Sequence, residues 1–197
     1  MDDPRILVCQ NMAEAAHTGQ KRKHNNMDYI CHPARVYQEV TKYAPTVAWL
    51  RETQRVRMRC AAWLHDVIED CRSTFDINEI ELATRGLNVF SLVWELTNPS
   101  SFLDKTKFRR AERKGLDLEH WRHTSQEARM IKLCDRMDNL NDLSACTDLK
   151  YLELYAAESS ALLDVIGPGN GRLWAACDDA LQRLNERIQN EKVAAAS

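Results

Sequence analysis

Helix breakers are scarce in this sequence: 197 residues carry only six glycines and five prolines. That scarcity excludes a turn-rich all-β architecture and leaves long stretches free to be helical. No segment approaches the roughly 20 consecutive apolar residues of a membrane span. Basic surplus is absent too. The formal net charge is −2, which argues against a general nucleic-acid binder though not against a local pocket for a small anion. The seven cysteines (9, 31, 60, 71, 134, 146, 177) are odd in number and never form Cys-x-x-Cys. They fit neither a disulfide framework nor a structural zinc site, so reduced thiols in a cytosolic setting are expected. The opening Met1-Asp2-Asp3-Pro4-Arg5 leads into no adequate apolar core for a secretion signal, and a soluble, cytoplasmic protein is expected.

What remains is helical periodicity. Apolar spacing predicts helices over residues 6–17 and from Pro33 to Pro45. Thr46 is expected to cap a long helical segment over residues 47–69, with a junction near Gln54. Two short helices are expected over residues 76–84 and 87–96, around Gly86. Residues 98–124 read as an irregular, charged surface excursion. Met130, Leu133, Met137 and Leu140 mark a helix over residues 126–143. Another spans residues 149–166 and stops at Gly167-Pro168-Gly169. The last runs to about Lys192 with Leu173, Cys177, Leu181, Leu184 and Ile188 on one side, ahead of an alanine-rich tail expected to fray. Trp49, Trp63, Trp94 and Trp174 are expected in the core, and Trp121 at the surface. His24, His120 and His123 lie in polar surroundings and are expected to be exposed; His17 is expected to hydrogen-bond the loop after it. The fold class is all-α.

Chemistry concentrates in three places. His65-Asp66 sits in an otherwise apolar run, with Glu69 and Asp70 one helical turn further on. An imidazole and three acids so close would repel or stay poorly solvated without a cation. Asp135, Asp138, Asn139 and Asp142 share one polar face of the helix over residues 126–143, opposite its apolar stripe. His32 precedes Pro33 at a helix start. Taken singly, each cluster also fits a solvated helix face.

Four blocks resemble, in order, the hydrolase domain of Rel/Spo alarmone enzymes. They are Ala16-His17-x-Gly19-Gln20-x-Arg22-Lys23, Tyr29-Ile30-x-His32-Pro33, Leu64-His65-Asp66-x-x-Glu69-Asp70 and Lys132-Leu133-x-Asp135-Arg136. The resemblance covers roughly residues 5–160. It implies an HD-type helical bundle around a central metal site, holding one manganese ion, that removes the 3′-pyrophosphate from (p)ppGpp. It also implies His32, His65, Asp66 and Asp135 as ligands and Glu69 and Asp70 as catalytic acids. Residues 1–166 would form the hydrolase domain and residues 167–197 a helix packing on it. No synthetase or regulatory domain is expected, as in the single-domain, Mesh-like branch of small alarmone hydrolases that the chain resembles. Asp104-Lys105-Thr106, Glu112-Arg113-Lys114 and Asp142 resemble that branch, where the lysine matching Lys105 would hold distal phosphates. Two departures stand beside the pocket. The loop from Lys23 to Tyr29 lacks the glycine and proline many relatives carry, and Cys71 replaces a frequent threonine.

The chemistry is coherent on its own terms. Two imidazoles and two carboxylates suit Mn²⁺ and tolerate Fe²⁺, Co²⁺ or Zn²⁺. Arg22 and Lys23 can stack on a base or pair with phosphate, and Asn139 offers a donor and an acceptor. Tyr155 either faces the nucleotide or packs in the core. The expected partner is a small nucleotide, with no nucleic acid or membrane. The helix at Leu173–Ile188 completes either its own core or a homodimer. The rival readings are an HD hydrolase acting on another nucleotide (a ppApp-type alarmone, NADPH or a nucleoside phosphate), a nucleotide-binding regulator without turnover, and a helical interaction protein with a vestigial site.

Overall fold

The computed structural model describes residues 3–73, 75–168 and 170–196, and among them every named element is a helix, with a single isolated β-bridge between Lys21 and Asp28. The helices are α1 (Pro4–Ala16), α2 (Cys31–Tyr43), α3 (Glu52–Leu64), α4 (Val67–Asp70), α5 (Asn78–Ala83), α6 (Val89–Leu96), α7 (Arg110–Trp121), α8 (Gln126–Asp142), α9 (Leu149–Ile166) and α10 (Gly171–Ala196). Short 3₁₀ turns follow α2, precede α7 and follow α8.

Local chemistry sets the ends. Asp3 accepts the Arg5 N–H at 3.0 Å with Pro4 in the first turn of α1, Ser125 accepts the Ala128 N–H at 3.2 Å, and Asp148 the Tyr151 N–H at 3.1 Å. Gly167, at φ +67°, closes α9 in a conformation that favours glycine. The apolar stripes of α2 (Val36, Val40), α3 (Met58, Ala61, Ala62) and α8 (Ile131, Leu133, Cys134) meet in one continuous buried core. Helix α8 packs against α2, α3, α6 and α10, and α10 buries Leu173, Cys177, Leu181, Leu184 and Ile188 against α8 and α9.

Several expectations are corrected. Thr46 caps nothing downstream, because its hydroxyl donates back to the Tyr43 carbonyl at 2.7 Å. Helix α3 starts at Glu52, where Gln54 Oε1 accepts the Arg51 N–H at 3.0 Å. The break in this segment falls at His65-Asp66, not Gln54. Twelve residues of the supposed irregular excursion form α7, because Glu112 accepts the Arg109 N–H at its start and Trp121 anchors its end. Trp121 is only 1% exposed, its indole N–H donating to Asn98 Oδ1 at 3.0 Å, whereas Trp49 and Trp94 are 47% and 49% exposed. His24 and His120 are half-buried, His24 against the Tyr151 ring and His120 on the Glu95 carbonyl at 2.7 Å. Helix α10 runs through the alanine tail to Ala196, and Gly169 of the expected stop lies outside the described residues.

A candidate metal centre and its flanking cavities

The kink between α3 and α4 explains why two adjacent residues can serve one site. Neighbours in a regular helix diverge by about 100°, whereas the turn at His65-Asp66 lets both side chains face α2 and α8. His65 Nδ1 lies 2.9 Å from the Ala62 carbonyl, an acceptor only, so it carries the proton. His32, in the first turn of α2, places Nδ1 2.6 Å from Asp138 Oδ2 and is protonated there for the same reason. Both Nε2 lone pairs therefore face inward, 3.2 Å apart.

Two carboxylate oxygens join them. Asp66 Oδ2 lies 3.0 Å from His65 Nε2 and 3.4 Å from His32 Nε2, and Asp135 Oδ1 lies 3.2 and 3.9 Å from His32 and His65. Four acceptor atoms converge in an almost wholly buried space, which a divalent cation would satisfy. Ligands at about 2.1 Å from an ion, at angles of about 90–109°, stand about 3.0–3.4 Å apart. Four of the five observed separations fall in that range, and the fifth, His65 Nε2 to Asp135 Oδ1 at 3.9 Å, is wider. His32, His65 and Asp66 form a potential cation-binding group by donor spacing.

The surroundings hold each of these four side chains. Tyr29 donates to Asp66 Oδ2 at 2.7 Å. Lys132 Nζ reaches Asp135 Oδ2 at 2.6 Å, and the Asn139 amide donates to the other oxygen. Arg35 also binds Asp138. Burial works against charge at His32, yet Asp135, Asp138 and Asp66 outweigh it and hold its pKa well above the ordinary value, so a cation and a proton compete for its Nε2. The same ion pairing holds Asp135 low against its burial, with Lys132 the main cause.

Glu69 leaves α4 beside this cluster. Its Oε1 accepts the Asn98 backbone N–H at 2.6 Å and the Asn98 amide at 3.0 Å. Burial pushes its pKa up to about 7, against the pull of Lys132, so near neutrality it can exchange a proton. Asp70 is also raised, by burial and then by Asp66.

A cavity of about 190 Å³ brings Arg22, Lys23, Asn139 and Tyr155 together with His24, Tyr29, Asp142 and Tyr151. Arg22 is fixed between Asp142 (2.9 Å) and Asn139 Oδ1 (2.8 Å), and its guanidinium lies 5.5 Å from the Tyr29 ring centroid. Lys23 Nζ sits 4.4 Å from the Tyr151 ring. Both ends of the Asn139 amide are engaged within the protein, so the expected nucleotide contact would have to displace one of them. Lys105 stands apart, exposed in the turn before α7. His17 bonds Gln20 Oε1 in the loop after it at 2.9 Å, as expected, and it also stacks on Tyr29.

The sequence reading gave no role to Asn98, Lys132, Asp138, Tyr29 or Tyr151. Tyr151 is four residues before Tyr155 on one helix face, a readable signal. Asn98 joins Glu69 across 29 positions and carried none.

This helical arrangement, with paired histidines and acids at a helix kink, defines an HD-type metal-site protein. The HD domain family matches residues 9–162. The curated guanosine-3′,5′-bis(diphosphate) 3′-pyrophosphohydrolase MESH1 of Xenopus tropicalis is 37% identical over 147 residues, 74% of this chain and 73% of that protein. MESH1 of Danio rerio is 33% identical over 180 residues, 91% of each. A solved structure of a metazoan ortholog of SpoT, reported to hydrolyse ppGpp, superimposes with a TM-score of 0.74 at 25% identity, covering 93% of this chain and 97% of that one. The chain belongs to the MESH1 family of HD-domain proteins.

Proposed function

We propose that this protein is a metal-dependent (p)ppGpp 3′-pyrophosphohydrolase, releasing GDP or GTP and pyrophosphate. The observation that carries this reading is the convergence of His32, His65, Asp66 and Asp135 on one buried point beside a nucleoside-sized, aromatic-walled cavity. The MESH1 relatives, named for this activity, support it. The four residues would hold one divalent ion. Manganese suits their mixed N/O donors, and the bound ion would supply Lewis-acid polarisation of the phosphoryl group and an acidified water.

The chain's own residues do the rest. Glu69, held by Asn98, takes the proton of the attacking water, with Asp70 beside it as the second acid. Water adds at the phosphorus nearest the ribose, the bond from that phosphorus to O3′ breaks, and its electron pair and a proton end on O3′. Arg22 and Lys23 receive the base, Tyr155 walls the pocket, and Lys105 reaches the distal phosphates. The hydrolase unit is residues 1–166, with 167–197 completing its core, and the protein works in the cytoplasm.

Incubating manganese-loaded protein with ppGpp, ppApp, NADPH and nucleoside phosphates tests this. GDP and pyrophosphate from ppGpp at the highest kcat/KM are expected. Turnover of another nucleotide alone would leave the metal centre standing and remove the substrate.

A further inference from the structure

A second cavity, about 490 Å³ in volume, opens between α7, α8 and α9 and shares no residue with the Arg22 cavity. Its size suits a small molecule rather than a lone ion. Leu118 and Trp121 of α7 and Leu154 and Ala161 of α9 supply much of the apolar wall. Several cations line it, but most are already matched. Arg110 binds Glu158 at 2.6 and 2.9 Å, Lys114 reaches Asp117 at 3.2 Å, and Lys132 is held by Asp135.

Arg136 is different. Its guanidinium lies 4.6 Å from the Tyr155 ring centroid, one Nη donates to the Ser159 hydroxyl at 3.2 Å, and no carboxylate pairs with it among the described residues. Its Nε is buried without any hydrogen-bond partner. A guanidinium keeps its charge and all five N–H donors. A guanidinium without a carboxylate partner in a largely apolar wall costs free energy that an anion reaching it from the cavity would recover.

We propose that this cavity is a second ligand site, which takes a compact apolar body bearing one anionic group, the anion against Arg136 and the body against the α7 and α9 walls. The site is coupled to the metal centre by construction. Asn98 and Lys132 both line it, and they hold Glu69 and Asp135 respectively. A ligand there presses on the residues that position the base and one metal ligand, so it should lower kcat while leaving KM unchanged.

The probe is 1-anilinonaphthalene-8-sulfonate, an aromatic body with one sulfonate, titrated by fluorescence into the folded, metal-loaded full chain. One saturable site is expected, with affinity at least tenfold weaker in Ala161→Phe, which fills the space, and in Arg136→Met, which removes the charge. Saturating GDP should not displace the dye. If Arg136→Met fails to fold, Ala161→Phe, checked by circular dichroism and metal content, decides alone. Absence of saturable binding, unchanged affinity in Ala161→Phe, or displacement by GDP would each overturn the proposal. Dye-saturated enzyme with unaltered kcat would overturn the coupling. The GDP competition rests on the proposed nucleotide site, whereas the saturable binding and its loss in the two variants do not depend on ppGpp being the substrate.

Discussion

The floor of the site and its walls are built on different terms. On the floor, α2, α3–α4 and α8 bury His32, His65 and Asp135, and each of these three is oriented by a hydrogen bond on its far side. On the walls, Lys23 and Lys105 are exposed, and α7 is tied down by a few contacts such as Trp121 to Asn98 and Ser100 to Asp117. The difference teaches where precision is needed. A cluster of four lone-pair atoms tolerates no rotation of a ring, whereas a wall lysine on a flexible stem can find a phosphate from many positions.

The comparison breaks most sharply at the floor. His65→Ala or Asp66→Ala should abolish both metal binding and turnover. The loss should also lower thermal stability in metal-containing buffer, because an ion bound only by the folded state at about a hundred times its Kd stabilises by about 2.7 kcal/mol. Chelation should lower the wild-type Tm but leave that of Asp66→Ala unmoved. Metal analysis and calorimetry check it, and full occupancy in Asp66→Ala would remove Asp66 from the ligand set.

Glu69 sits where floor meets wall, so its substitution should separate chemistry from metal binding. Glu69→Gln should retain the ion and lose kcat by about 10²- to 10⁴-fold. The carboxyl is raised to about 7, so it must lose its proton to act as a base. Activity should therefore climb with pH through that region, and the climb should vanish in Glu69→Gln. A profile unchanged by the substitution would assign the base elsewhere.

Asp138 tests the outer ring of the floor. It touches no reacting group, but it fixes the tautomer and direction of His32. Asp138→Asn should weaken metal affinity by about 10- to 100-fold without abolishing it. Competition with a chromogenic chelator measures this, and wild-type affinity would show that the α2 position alone aims the ring.

The same contrast explains what could be read in the sequence. Helices α2, α8, α9 and α10 were legible because each carries a long apolar stripe, and the four candidate ligand residues stand in short motifs that fall in family order. The break at His65-Asp66 was not, since neither residue is a helix breaker and the turn is stabilised by contacts with Tyr29 and α2. Helix α7 was hidden by its charge: of its twelve residues only Asp117 and Trp121 are buried. Asn98 and Lys132 act through partners that only the fold brings near.

The smallest effect belongs to the wall, at Lys105. Its place in Asp104-Lys105-Thr106 suggests a phosphate contact, and its exposure limits what that contact can contribute. Charge pairs in water are worth about 0.2–1 kcal/mol and are screened by salt. Lys105→Ala should therefore raise KM for ppGpp by about two- to fivefold, with kcat and metal content unchanged. The rise of KM with added salt should be shallower in the variant, because one screened attraction is gone. Arg22→Ala, which dismantles a buried platform bonded to Asp142 and Asn139, should act differently, blurring the preference for guanine over adenine substrates. Steady-state kinetics of both variants on ppGpp and ppApp at two ionic strengths compare them directly. If Lys105→Ala matches wild type at low salt, this wall does not touch the phosphates, and they are held by the floor alone.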